Sequence, residues 1–189
     1  QGLHAQLKGN PQPRPMILEI PLVPAWKHLD LQYMLGDSLL VAPVFSHDGS
    51  VRFYVPEGYW TNLLTGNVIE GPRWIQEEHD FMSLPLLVRS NSVIPIGNQT
   101  DKPDYDYSEN ITLNIYQLEN GKEIEVEIPS LDGKIDTTFR IKRDENIIHI
   151  QRQGSSKAWN VSLLGMETAD GSTTINTHAK NNELRIQLK

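Results

Sequence analysis

Two runs of strict alternation constrain what this chain can fold into more than any other feature. Ile124, Val126 and Ile128 alternate with Glu123, Glu125 and Glu127, and Leu184, Ile186 and Leu188 alternate with Glu183, Arg185 and Gln187. Successive side chains of a strand point to opposite faces, so a period of two with charge on one face reads as a half-buried antiparallel strand. Val51, Phe53 and Val55 repeat the pattern against Arg52 and Tyr54, behind a turn at His47-Asp48-Gly49-Ser50. Glu57-Gly58, Thr65-Gly66-Asn67 and Gly71-Pro72 punctuate the next strands, and Asn120-Gly121 and Asp132-Gly133 stand where hairpins need positive φ. Short strands with such punctuation are the spacing of a β-sandwich. The polar connector Gly97 to Asp104 is the expected domain boundary.

The first forty residues have a different pattern. Met16-Ile-Leu-Glu-Ile20 is a nearly continuous apolar run between Pro15 and Pro21, which suits a strand buried on both faces. From Leu29 to Leu35 the apolar positions Leu31, Met34 and Leu35 fall at helical spacing, with Gly36 placed as a C-terminal cap. One strand and one helix cannot close a (β/α)8 barrel, which takes about 250 residues. Residues 1–37 therefore read as a lone βα unit.

The 189 residues are 38% hydrophobic and 22% charged, enough for one or two domains with cores of their own. A net charge of -7 argues against nucleic-acid and anionic-membrane partners, because both need a clustered positive field. No run of some 18 apolar residues occurs, and the polar, proline-rich opening from Gln1 to Pro15 lacks the order of a signal peptide. With no cysteine, disulfides and thiolate metal sites are excluded. The expectation is a cytoplasmic protein.

Several motifs carry a resemblance. Gln32-Tyr-Met-Leu-Gly-Asp37, Val41-Ala-Pro-Val44, Pro56-Glu-Gly-Tyr-Trp60 and Pro85-Leu-Leu-Val-Arg-Ser-Asn-Ser-Val-Ile-Pro95 stand in order. Gly9, Pro11, Arg14 and Glu19-Ile20-Pro21 precede them, and Pro103-Asp-Tyr105 comes after. Together they resemble the C-terminal part of glycoside hydrolase family 31, in its α-xylosidase branch. Two positions depart from the usual family pattern. Leu22-Val23 stand where an acidic residue is common, and Asn91 replaces a glycine, as it tends to in that branch; asparagine tolerates a left-handed turn.

The resemblance implies a mainly β chain: the remnant of the end of a (β/α)8 barrel at 1–37, then two antiparallel β-sandwich domains, proximal at 38–100 and distal at 104–189. It implies a retaining α-glycosidase acting on terminal α-xylosyl residues. Such enzymes use one aspartate as nucleophile and another as acid, about 5 to 5.5 Å apart. The motifs that carry those aspartates lie upstream of this region in the family and are not found here. No catalytic residue, cofactor or metal ligand is assigned, and the chain alone is expected to be inactive. Its expected partners are the N-terminal and barrel domains, with an α-xyloside carbohydrate as substrate of the intact enzyme.

Other candidates have plainer readings. Glu77, Glu78, His79 and Asp80 form the densest titratable cluster, yet strand neighbours alternate faces and a charge run usually coats a solvated surface. Glu123, Glu125 and Glu127 share a face and read as a solvent or cross-strand-paired edge. The six histidines show no metal-binding spacing. Sequons at Asn98, Asn110 and Asn160 would matter only in a secretory pathway. Tyr59, Trp60, Trp74, Tyr116 and Trp159 read first as core. Tyr105 and Tyr107, at i and i+2 in a polar connector, are the candidates for exposed sugar-stacking aromatics. They support the alternative, a free-standing glycan-binding or structural β-sandwich module. Ile69, Phe81 and the run Leu84 to Val88 are candidates for apolar surface that packs against a barrel.

Overall fold

The computed structural model describes residues 13–19, 29–177 and 181–189. Gly9, Pro11, Ile20, Pro21, Leu22 and Val23 lie outside the described residues. The elements are β1 (Pro13–Pro15), α1 (Met16–Glu19), β2 (Tyr33–Leu35), β3 (Leu39–Val41), β4 (Ser50–Asn62), β5 (Val68–Glu78), β6 (Leu86–Arg89), β7 (Ser92–Ile96), β8 (Ile111–Tyr116), β9 (Glu123–Pro129), β10 (Ile135–Asp144), β11 (Ile147–Gly154), β12 (Trp159–Leu164), β13 (Thr174–Asn176) and β14 (Glu183–Gln187). They fall into two compact units, one ending at Ser90 and the other running from Asn91 to Lys189.

In the first unit six strands form one antiparallel sheet in the order β1-β2-β3-β6-β4-β5. Its long β4–β5 hairpin turns at Thr65-Gly66-Asn67, as the sequence implies. Glu57-Gly58 and Gly71-Pro72 do not separate strands. They mark a bulge inside the hairpin, where the pairing steps from Val55↔Arg73 to Gly58↔Gly71. That one extra residue reverses the parity of β4. Val51, Phe53 and Val55 point into the core at odd positions, and after the bulge Trp60 points into the same core at an even one. Its indole N–H donates to Pro56 O at 3.0 Å, so the buried nitrogen is satisfied.

Two local expectations are corrected in this unit. The run starting at Met16 is the short helix α1, with Met16 buried and Ile17 and Leu18 exposed. A short apolar run cannot be assigned to strand or helix by periodicity alone. The helix expected from Leu29 to Leu35 is instead a turn leading into β2, which pairs with β3 from Tyr33↔Val41 to Leu35↔Leu39. Gly36 has the positive φ of 62° expected of it, but it serves the β2–β3 hairpin. Seven residues are too few to offset helix nucleation, and the strand partner Leu39-Leu40-Val41 lies just downstream. Gln32 explains why its motif needs an amide. Its side chain donates to Tyr54 O at 2.9 Å and accepts from Tyr54 N at 2.7 Å, completing the backbone pairing of β4 on the edge away from β5, upstream of the stretch that β6 pairs.

The second unit is a sandwich of two four-stranded sheets, β14-β11-β10-β9 and β13-β12-β8-β7. Leu113 and Ile115 of β8, Trp159 and Val161 of β12, Phe139 and Ile141 of β10, and Ile148 and Ile150 of β11 share one core. The alternation at 123–128 lies in β9 and that from 183 in β14, with Leu188 just beyond its end, and Ile128, Ile186 and Leu188 are buried. One pair departs from an antiparallel rule: β8 and β12 run parallel, from Ile111↔Trp159 to Tyr116↔Leu164. The chain crosses to the opposite sheet for β9, β10 and β11 between them, which permits a parallel return. For the same reason the turn at Asn120-Gly121 joins two sheets, whereas Asp132-Gly133 closes the β9–β10 hairpin. The connector from Gly97 to Asp104 lies between β7 and β8, neighbours in one sheet, and the two units part at Ser90-Asn91. Asn91 adopts the left-handed φ of 58° expected of it, and its Oδ1 accepts from Glu119 N at 2.7 Å.

Acid sensitivity is built into a turn of this unit. Asp170 Oδ1 accepts from Thr168 Oγ1 and from Ser172 N, and these bonds hold its carboxyl at about 2 against an ordinary 3.8. A depressed carboxyl contributes stability that is present above its unfolded value and lost as pH falls through the folded one. The window is therefore pH 3.8 down to about 2. An NMR titration of the Asp170 carboxyl is expected to find a midpoint near 2, and Asp170→Asn to flatten the fall of the urea midpoint across that window. A midpoint at the ordinary aspartate value would contradict the turn geometry.

Candidate functional site

Tyr105 and Tyr107 do come together, but against each other. Their ring centroids lie 4.9 Å apart with planes at 86°, an edge-to-face contact. Both are half-buried, and the Tyr107 hydroxyl donates to Pro103 O at 3.1 Å. The Tyr105 ring lies over Gly97, where a Cβ would meet its hydroxyl at 1.7 Å. Asp106 between them pairs with Lys157, which holds its carboxyl below the usual range. Lys157 Nζ also donates to the buried Ser108 Oγ at 3.1 Å, and Ser108 Oγ donates to Asp136 at 2.6 Å. These contacts fasten the connector to the sandwich. Two rings at right angles present no common plane for a sugar face.

The most convergent chemistry lies at the end of β5. Glu77 and His79, two apart, share a face, while Glu78 between them is exposed. His79 Nε2 lies 2.9 Å from Glu77 Oε2, and the adjoining loop brings Ser83 Oγ to 3.1 Å from Nδ1. The expected divergence of neighbours thus holds, with Glu78 directed away from Glu77 and His79, and Ser83 joins the pair because the chain turns back at Asp80. Serine, histidine and carboxylate in series have the outline of a nucleophilic triad. Acyl transfer also requires N–H donors aimed at a developing oxyanion. Here Met82 N donates to Asp80 Oδ1 at 2.9 Å and Ser83 N to Asp80 O at 3.4 Å. Ser83 Oγ itself lies 2.9 Å from Asp80 Oδ1, which, with the Met82 bond, keeps the Asp80 carboxyl below its ordinary value. Both donors beside the serine are committed, so the group staples the β5–β6 loop. His79 N donates to Gly49 O at 2.9 Å and fixes the loop's base.

Beside this staple opens a shallow concavity of ≈ 690 Å³, with Ile69 and Ile75 among its lining and Asn67, Arg73, Glu77 and His79 supplying polar groups. The apolar candidates divide here. Ile69, Leu87 and Val88 are core, whereas Phe81 is fully exposed and its neighbour Met82 largely so.

Residues picked out singly by the sequence motifs meet in a second cluster. Arg14 Nε lies 2.7 Å from Glu19 Oε1, and its Nη2 bonds Asp37 at 2.7 Å and Gly36 O at 2.9 Å. Glu19 reaches Arg89 at 3.6 Å, and the Arg89 guanidinium sits 5.2 Å from the Trp60 ring centroid. The cluster ties β1, α1, the β2–β3 turn and β6 together. No spacing rule reveals it, because its members are brought together from separate strands. On β9, Glu123 and Glu125 pair with Arg140 of β10 at 3.3 and 3.1 Å, the cross-strand arrangement expected of that face. Among the described residues no group of three or more His, Asp or Glu could hold a metal ion, and no helix is long and apolar enough to cross a membrane.

Comparison with known proteins adds to this geometry. Residues 9–94 match the family described as glycosyl hydrolase family 31 C-terminal domain, and residues 106–188 match the one described as alpha-xylosidase YicI, C-terminal domain. The chain is 31% identical over 183 residues to the alpha-xylosidase XylQ of Lactiplantibacillus pentosus, covering 95% of this chain and 22% of that protein. It is 41% identical over 139 residues to an alpha-xylosidase of Emericella nidulans, covering 68% of this chain and 17% of the relative. The chain thus spans about a fifth of the length of these curated relatives. The cycloalternan-forming enzyme from Listeria monocytogenes has the same fold over 98% of this chain and 21% of its own, with a TM-score of 0.81 at 20% identity. The GH31 alpha-xylosidase from Xanthomonas citri matches 98% of this chain and 22% of its own, with a TM-score of 0.74 at 20% identity.

Proposed function

Because the chain belongs to glycosyl hydrolase family 31, as a C-terminal portion from its α-xylosidase branch, we propose that it is the accessory β-region of a retaining α-glycosidase that removes terminal α-xylosyl residues. The observation that carries this reading is the tandem match: two C-terminal domain families side by side, continuous with one α-xylosidase over 95% of this chain.

In this reading the chemistry belongs to the larger remainder of the enzyme. There an aspartate attacks the anomeric carbon, and a second protonates the leaving oxygen and then activates the water that releases the sugar. The two carboxyl groups must face each other across the scissile bond, about 5 to 5.5 Å apart. The carboxylates with close partners in this chain serve other ends. Glu77 and Asp80 hold the β5–β6 loop, Glu19 and Asp37 hold Arg14, and Asp106 holds Lys157. What the region contributes is support built from two β-units.

A free-standing glycan-binding or structural module is the competing reading, and the right-angled Tyr105–Tyr107 pair gives its stacking version little surface to work with. The deciding experiment is hydrolysis of p-nitrophenyl α-xyloside by the purified chain, and by a hybrid in which this chain replaces the matching region of XylQ. No turnover by the chain alone and turnover by the hybrid are expected. Turnover by the chain alone, abolished by substituting one of its carboxylates, would overturn the accessory reading.

A further inference from the structure

We infer that the β5–β6 loop is a docking knob whose Phe81 and Met82 side chains seat in an apolar recess on the remaining polypeptide of the longer enzyme, an inference that rests on the accessory reading above. Phe81 is 108% exposed and Met82 88%, the two most exposed large apolar residues among those described, and they are adjacent. Single exposed apolar residues are ordinary on a protein surface. An adjacent phenylalanine and methionine at a loop tip are the residue types enriched at interface cores.

The loop is also held in its exposing shape. Asp80 Oδ1 accepts from Met82 N, and Ser83 Oγ bridges Asp80 and His79. His79 is anchored in turn by Glu77 and by its own backbone bond to Gly49 O. Gly49 leaves no room for a side chain there, because a Cβ would lie 2.3 Å from His79 O. A tip restrained at both ends cannot readily fold its apolar side chains back onto the sheet. Restraint in the bound shape reduces the ordering cost of association.

The chemistry around the tip narrows the occupant. Glu77, Glu78 and Asp80 flank it. An anionic membrane would repel that rim. A second copy joined through a two-fold axis would set the same acidic rim against itself. One Phe and one Met cover a few hundred Å² at most, far below the roughly 1,200 to 2,000 Å² that a stable complex between separate chains buries. So small a contact serves only when its partner is tethered, where effective concentration replaces area. The curated relatives supply such a partner, since about four fifths of their length lies outside the matched region.

The test uses the XylQ hybrid and the chain by itself, each with and without Phe81→Ser and Met82→Ser together. In the hybrid the double substitution is expected to speed thermal inactivation, followed as loss of native fluorescence, by about tenfold or more. In the chain alone it is expected to leave the melting temperature unchanged, since both side chains are almost wholly exposed there. Leu131→Ser, at an exposed apolar position of the second unit, is the control and is expected to leave the hybrid unaffected. Equal inactivation rates for hybrid and double variant would overturn the proposal, as would an equal acceleration by Leu131→Ser. A dimer of the chain alone that the double substitution disperses would also overturn it, in favour of self-association. A hybrid that is inactive on xyloside yet destabilised by the double substitution would remove the accessory reading and leave the docking contact standing. An active hybrid indifferent to the substitution would do the reverse.

Discussion

Trp159→Ala is expected to lower the unfolding free energy by about 3 to 5 kcal/mol, the range for emptying a large aromatic site in a core. Trp159 is fully buried, and its ring packs on Phe139 at 5.1 Å between centroids. It stands on β12 between β8 and β13, so its loss opens a space between the two sheets that both must collapse to fill. Its Nε1–H also donates to Asn181 O at 3.0 Å, and alanine leaves that carbonyl without its donor. Native domains are stable by only about 5 to 15 kcal/mol, so the second unit is left marginal or unfolded. Urea titration followed by near-ultraviolet circular dichroism measures this. A loss below about 1 kcal/mol would mean that Trp159 is not the centre of that core.

Gly71→Ala is expected to cost about 3 kcal/mol or more, at or above the upper end of the usual overpacking penalty. The added Cβ would lie 1.9 Å from Pro56 O and 2.8 Å from Val55 O, both backbone atoms of the β4 bulge. No rotamer change relieves a clash with a carbonyl. The bulge must shift, and the Pro56 oxygen that receives the Trp60 indole N–H must move with it. Gly66→Ala is the internal comparison, because its Cβ would meet nothing within 4 Å and the cost is only that of a positive φ. Chemical denaturation of the two variants should separate them by a wide margin. Similar midpoints would show that the bulge is free to open.

Both residues also show what a sequence does and does not disclose. Gly71-Pro72 is visible as punctuation, but whether it ends a strand or accommodates a bulge depends on what lies opposite, and the Pro56 carbonyl lies on another strand. The β2 hairpin was hidden for a related reason. Leu31, Met34 and Leu35 satisfy helical spacing, and only the pairing of Tyr33 to Leu35 with Leu39 to Val41 decides for strand. Glu77 and His79 were visible as a cluster. Ser83, which completes it, is separated from His79 by a turn no periodicity specifies.

The sequence by itself determined the β class, the inward faces of β4, β9 and β14, the left-handed turn at Asn91 and the family, because a period of two, a tolerated φ and ordered motifs are local properties of the chain. Only the tertiary structure decided the strand order, the parallel β8–β12 pair, the junction at Ser90-Asn91 and the meeting of Arg14, Glu19, Asp37 and Arg89. Each of those depends on contacts between residues far apart in sequence. Such contacts are selected by shared burial and mutual satisfaction of backbone groups, which no local pattern records.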